Sequence, residues 1–246
     1  MFENKKVLIL GANSDIAKNI AYILYIKNYK LTLISRDIDS LKSSLTNLKI
    51  NIEYIEFIKM DIKDTENFKL YYENLNETHD IIISAVGELS NSNLSTQPNI
   101  LEDMINTNYI YPAKCLEIIS EIFVKKNSSK EKIILGISSL AGERGRAINY
   151  HYGSAKSAFT VFLSGLRQKL SNYNITVITV LLGYVKTKMT KNLKSSSFLV
   201  SEPDKIAKDI IKCIEKKKVV FTPLKWKIII LIIKLIPENI FKKLNF

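Results

Sequence analysis

Tyr152 and Lys156 stand four residues apart in Asn149-Tyr150-His151-Tyr152-Gly153-Ser154-Ala155-Lys156. On a helix that spacing puts a phenol and an ammonium on one face, one turn apart. A free tyrosine ionises near pH ~10, and a neighbouring cation favours the phenolate. The pair therefore predicts a phenol whose pKa falls towards neutrality, able to give or take a proton at physiological pH. Alone, the spacing fits equally well an aromatic ring packed on a lysine stem. The surrounding elements separate the two readings.

Those elements alternate. Val7–Leu10 is a continuous apolar run, the pattern of a strand buried on both faces. Gly11-Ala12-Asn13-Ser14-Asp15-Ile16-Ala17 follows and opens an apolar helical period through Ile20, Ile23 and Leu24. Strand, small-residue turn and helix make the first unit of a dinucleotide-binding fold, with backbone N–H groups of Gly11, Asn13, Ser14, Asp15 and Ile16 set to hold a pyrophosphate. Asp15 and Ala17 occupy places where glycine is more usual. Ala17 keeps helix and strand close, while Asp15 suits the helix dipole yet stands near the expected phosphate.

The second strand, Leu31–Ile34, ends in Ser35-Arg36-Asp37. An acid at this position accepts ribose hydroxyls of NAD, and an arginine suits the extra phosphate of NADP. Ser35 and Arg36 thus favour NADP(H), with NAD(H) the alternative because of Asp37. The third strand, Ile55–Met60, leads to Asp61 and Ile62, placed to meet adenine. The fourth, Ile81–Ile83, ends in Ser84-Ala85-Val86-Gly87, where Ala85 and Gly87 let backbone approach a cofactor. A polar loop over 88–100 precedes a helix from about Ile100 past Asn108, and Pro112 opens another. Ile133–Ile137 is a fifth strand ending in Ser138-Ser139. Ile175–Leu182 is a sixth, ending in Gly183-Tyr184-Val185-Lys186-Thr187. Lys188–Ser201, rich in lysine and serine, reads as a mobile flap. A helix over Asp204–Lys216 and a last strand, Val219–Phe221, complete a single-domain α/β protein: a Rossmann-type, doubly wound parallel sheet of about seven strands with helices on both faces.

The bulk numbers agree. A chain of 246 residues with 46% apolar residues holds one core of ordinary composition. Cys115 and Cys213 lie in helical patterns and read as buried spacers, so neither a disulfide framework nor a metal site is expected, and the compartment is a reducing one. No secretory leader precedes Val7. Net charge is +12, and more than half of it arises between Lys216 and Phe246, where eight lysines face one acid, Glu238. So local an excess points to a surface-binding tail and away from nucleic acid.

In order and over nearly the whole chain, these motifs resemble the short-chain dehydrogenase/reductase family. Gly11–Ala17 resembles its cofactor loop, and Ser84-Ala85-Val86-Gly87 stands where the family has Asn-Asn-Ala-Gly. Asn108, Ser139, Tyr152 and Lys156 match its catalytic tetrad, Ser139 at the customary gap before Tyr152. Leu182–Thr187 resembles its Pro-Gly segment, with leucine for proline. The resemblance implies hydride transfer from NAD(P)H to a ketone. Tyr152 would serve as general acid, Ser139 would stabilise the carbonyl oxygen, and Lys156 would bind ribose. Asn108 would hold a water of the proton relay, and Val185 and Thr187 would sit beside the nicotinamide. It also implies a homo-oligomer.

Ser138–Arg146 followed by Asn149–Gly153 is similar to a branch that reduces keto-sugars on polyprenyl phosphate carriers. The reductase partner of the decaprenylphosphoryl-ribose 2-epimerase system belongs there, and that branch works with a flavin oxidase. Arg144 and Arg146 would then meet a lipid phosphate. Residues 222–246 form a separate basic, amphipathic tail, too short in its apolar run to span a bilayer and suited to peripheral contact at the cytoplasmic face of the inner membrane. The alternative for the tail is a helix packed on its own domain or a dimer mate. His151 reads as a flanking polar residue and His79 as a loop residue. Competing functions are a soluble reductase of a 3-oxoacyl, steroid or polyol ketone, and a non-catalytic dinucleotide-binding regulator, against which the intact tetrad counts.

Overall fold

A computed structural model describes residues 4–89, 98–126, 129–191 and 199–244. The seven strands are β1 Lys6–Leu10, β2 Lys30–Ser35, β3 Ile55–Lys59, β4 Ile81–Ser84, β5 Lys132–Ser139, β6 Ile175–Leu182 and β7 Val220–Phe221. They form one sheet in the order β3-β2-β1-β4-β5-β6-β7, and every neighbouring pair is parallel. The order reverses between β1 and β4, so their carboxyl ends flank a crevice, the place where open α/β sheets bind ligands.

Alternate residues of each strand feed two separate cores, which is why the strands read as continuous apolar runs. Val7, Ile9, Leu31, Leu33, Ile81 and Ile83 pack on one face against α1 (Asp15–Ile26), α2 (Ile38–Asn47) and α7 (Pro203–Glu215). Leu8, Leu10, Ile82 and Ile134 pack on the other against α3 (Thr65–Glu73), α5 (Tyr111–Lys126) and α6 (Tyr150–Lys169). Cys115 and Cys213 are buried, one in each core.

One feature differs from the sequence reading. The two helices expected around Asn108 and Pro112 are one: α4 (Pro98–Ile105) continues through a π-helical turn, Asn106–Ile110, into α5. A π-turn widens the helix and often marks a functional position; here it carries Asn108. Pro112 lies directly after the π-turn, inside the continuous helix and not at its start. His79 lies in the connection between α3 and β4, as read, but it is buried there. It is 4% exposed, stacks on Tyr72 and meets the Thr32 hydroxyl at 3.0 Å, and burial pushes its pKa down to about 4. The flap expected over Lys188–Ser201 and the loop expected over 88–100 lie partly outside the described residues, at 192–198 and 90–97. On the described flanks, Lys188–Thr190 forms a 3₁₀ turn and Ser201 bridges to Val185.

The tail folds back. After β7, α8 (Leu224–Leu235) and the short α9 (Glu238–Phe241) lie over the crevice end of the sheet, and Trp226 is 6% exposed in a small cluster with Leu140 and Leu181. Among the described residues, no helix is long and apolar enough to cross a membrane.

Candidate active site

The crevice at the strand ends has a cavity volume of about 370 Å³, and every residue expected to touch the cofactor lines it. Gly11 ends β1 with φ +73°, in the left-handed region where a side chain is strained. A Cβ there would also press on Ala85 and Val86 at 3.1 Å, so β1 and β4 meet closely beneath the opening of α1. Ser14 caps α1, its hydroxyl accepting the Ala17 N–H. Asp15, at the place of a usual glycine, is tied down: it pairs with Lys18 at 2.9 Å and accepts the Lys188 N–H at 2.7 Å. Burial opposes its ionisation, yet the Lys188 N–H and the Lys18 ammonium hold its carboxyl below the usual range. Asp15 thereby joins the cofactor loop to the segment after β6, a contact between residues 173 positions apart.

At the end of β2 the three residues divide their work. Asp37 caps α2 by accepting the Ser40 N–H at 3.0 Å, and Ser35 Oγ accepts the Asp37 N–H at 3.2 Å. Arg36 is largely exposed on the crevice rim, with Asp61 3.9 Å away. The acid that argued for NAD is spent on a helix end.

β5 delivers two serines that part company. Ser138 is buried, and its hydroxyl bonds to Lys156 O and Thr160 Oγ1 on α6. Ser139 faces the crevice beside Tyr152, accepts the Ala141 N–H at 3.1 Å and donates to Leu182 O at 3.3 Å. Lys156 is buried one turn along α6 and donates to Val86 O at 3.1 Å and Ile137 O at 3.2 Å. Its ammonium lies 5.8 Å from the centre of the Tyr152 ring.

The electrostatics correct the sequence expectation. Burial pushes the Tyr152 phenol up to about 12, with the Ser139 hydrogen bond opposing, and pulls Lys156 down to about 8. Desolvation disfavours both charged forms and at this separation outweighs their attraction. Tyr152 is held as a neutral phenol, the form that gives up a proton.

Asn108 does not line the crevice. It is fully buried, and its amide clamps backbone: Oδ1 accepts the Glu88 N–H at 3.0 Å, and Nδ2 donates to Glu88 O at 2.9 Å and Met104 O at 3.1 Å. Its side chain is thus occupied in holding the turn after β4. His151 packs edge-on against Tyr150 and lies outside the crevice lining. Arg144, expected beside Arg146 at a lipid phosphate, instead donates to Ile233 O and Ile236 O, pairs with Glu238 at 2.9 Å and stacks over Phe241. A cation at a helix C-terminus satisfies its last carbonyls and its dipole. Sequence reasoning missed the wall beyond Tyr152, where Trp226, Ile230 and Ile233 of α8 face Ser139 and Gly183.

The short chain dehydrogenase family matches residues 5–197. The chain belongs to that family. A curated relative, "Dehydrogenase/reductase SDR family protein 7-like" of Dictyostelium discoideum, is 28% identical over 79% of this chain, which spans 63% of that relative's length. "3-oxoacyl-[acyl-carrier-protein] reductase FabG" of Buchnera aphidicola is 29% identical over 78% of each chain. Among solved structures, a short-chain dehydrogenase from Sphingobium yanoikuyae in complex with NADPH superposes with a TM-score of 0.78. It is 20% identical, over 98% of this chain and 96% of its own. At that identity the likeness speaks for the fold.

Proposed function

We propose that this chain is an NADP(H)-dependent reductase that converts a ketone to a secondary alcohol. The observation that carries the reading is the meeting of the Ser139 and Tyr152 hydroxyls at the crevice wall, with the Lys156 ammonium buried 5.8 Å from the Tyr152 ring centre.

The residues present fit a dinucleotide: a left-handed glycine lets backbone come close, a helix N-terminus faces the crevice, and a guanidinium stands at the rim. When bound, the nicotinamide supplies the hydride. The carbonyl oxygen then sits between two hydroxyls. Ser139 donates to it as charge grows, and Tyr152, neutral below about pH 12, hands it the proton. Lys156 binds the ribose and supplies a positive field beneath the developing phenolate. Val185 and Thr187, on the crevice wall, would hold the nicotinamide. Asn108 acts indirectly, by fixing the turn that carries Gly87 and Glu88. Arg36 favours NADP(H) over NAD(H) because guanidinium matches phosphate and Asp37 is engaged elsewhere. The NADPH complex of the Sphingobium neighbour is consistent with that preference.

The substrate reading is amphiphilic. Leu224, Ile228, Leu231 and Leu235 recur on one stripe of α8, each more than half exposed, beside Lys227 and Lys234. Such a stripe suits a peripheral helix at an anionic membrane surface. It supports a polyprenyl-phosphate-linked keto-sugar as substrate, with a flavin oxidase supplying it. The soluble alternative, a 3-oxoacyl substrate, is favoured by the name of the Buchnera relative. Purified protein mixed with NADPH and a panel of ketones tests the reaction: coenzyme oxidation that requires the ketone is expected, and none with any ketone would contradict the reading.

A further inference from the structure

Asp15 stands on the crevice wall at the place where glycine is usual, and no glycine could make its side-chain contacts. Its carboxylate has two partners. Oδ2 accepts the Lys188 N–H at 2.7 Å, and Oδ1 meets the Lys18 ammonium at 2.9 Å. Lys18 lies three residues on along α1, on the same face, and is 7% exposed. The bond to Lys188 matters because of what it holds. The turn Lys188–Thr190 closes on itself: the Thr187 N–H donates to Thr190 Oγ1 at 3.1 Å, and the Thr190 hydroxyl donates to Val185 O. Among the described residues, the hydrogen bonds of positions 187–190 stay within 185–190 apart from the one to Asp15. Met189 and Thr190 line the coenzyme crevice and also the pocket beyond Tyr152. One carboxylate thus ties the coenzyme loop to a wall that the two cavities share.

We propose that Asp15 is a positioning residue that clasps the 187–190 turn onto the coenzyme loop, and that Lys18 masks its charge so that a coenzyme diphosphate can lie beside it. This rests on the reading of the crevice as a dinucleotide site. The clasp needs an acceptor, and the coenzyme needs that acceptor to carry no net field. A bare carboxylate in the first turn of α1 would repel the diphosphate that the helix N-terminus attracts. The Lys18 ammonium, buried against Asp15, cancels that repulsion. Lys18 does not itself line the crevice, so its influence on the coenzyme runs through Asp15. A glycine in this place would need no mask, but it would leave the turn unfastened.

Lys186, Lys188 and Lys191 put exposed trypsin sites on and beside the turn. With no ligand added, Asp15→Ala should be cut there about tenfold faster than wild type, because proteolysis follows the population of the opened turn. Asp15→Asn, which keeps an acceptor oxygen, should be cut at close to the wild-type rate. Unchanged cleavage at the other lysines shows that the fold is intact. Isothermal titration with NADPH tests the mask. Lys18→Met bares the carboxylate and should weaken NADPH by about tenfold or more. Adding Asp15→Asn to Lys18→Met should restore the affinity to within about threefold of wild type. Equal cleavage of Asp15→Ala and wild type, or of Asp15→Asn and Asp15→Ala, would overturn the clasp. NADPH affinity unmoved by Lys18→Met, or not recovered in the double variant, would overturn the mask. Wild-type protein that binds no NADPH would sink the dinucleotide reading and the mask with it, while the trypsin result still decides the clasp. Neither readout involves a ketone, so NADPH binding without ketone-dependent oxidation would sink the reductase reading alone.

Discussion

At the scale of single residues, the chemistry turns on what burial does to a phenol and an ammonium. Lys156, lowered to about 8, is neutral in the folded chain above that pH, while an unfolded lysine holds its proton to about 10.5. The unfolded state therefore binds more protons between those values, and stability rises with pH across them. Tyr152 adds nothing below pH 10, since its phenol is neutral in both states there. Urea midpoints should therefore show wild-type protein gaining on the order of 1–2 kcal/mol from pH 8 to pH 10 relative to Lys156→Met. Parallel pH profiles for the two would contradict a buried, depressed lysine. Arg36 gives a second prediction at this scale. Arg36→Ala should weaken NADPH by about 10-fold or more, the worth of a charge-assisted hydrogen bond, and NADH little. Isothermal titration with each coenzyme measures it, and equal losses would remove Arg36 from the choice. The functional residues were legible because their types are unusual together and their spacing follows helix and strand periods. The pKa direction was not legible, because burial is set by packing that no local spacing encodes.

At the scale of elements, the strands announced themselves: two cores need apolar residues at every strand position, as in Val7–Leu10 and Ile81–Ile83. The π-turn at Asn108 did not, because Pro112 reads as a helix start while it lies inside a helix that runs on from α4 through the π-turn. The seat of α8 was likewise hidden, since Gly183 and Trp226 are far apart in sequence and glycine there reads as an ordinary family motif. The contacts that hold the seat include the indole on Gly183, Arg144 under the helix C-terminus and the Lys234–Glu143 ion pair at 2.8 Å. Arg144→Ala removes bonds to two carbonyls and an ion pair, and should loosen the tail by about 1–3 kcal/mol locally. Limited proteolysis should then cut within residues 222–244 several times faster, with KM for the ketone raised and NADPH affinity kept. An unchanged cleavage rate would show that the tail is held elsewhere.

For the molecule as a whole, the tail has two faces with different duties. Its Trp226 side closes the substrate pocket, while Leu224 and Leu235, each 74% exposed, point away beside the lysines. The sequence reading set membrane contact against packing on the domain; the helix packs on the domain through Trp226 and leaves an apolar stripe exposed. Flotation with vesicles containing anionic lipid should carry the protein upward at low salt, and replacing Leu231 and Leu235 by serine should leave it in the bottom fraction. Flotation unaffected by that double change would remove the membrane from the account.

The most direct measurement compares wild-type protein with Tyr152→Phe in ketone-dependent NADPH oxidation, alongside the NADPH affinity of each. Loss of the proton donor should lower turnover roughly 10²–10⁴-fold and leave NADPH affinity within about twofold. Turnover by Tyr152→Phe at the wild-type rate would contradict proton transfer from Tyr152, on which the whole mechanism rests.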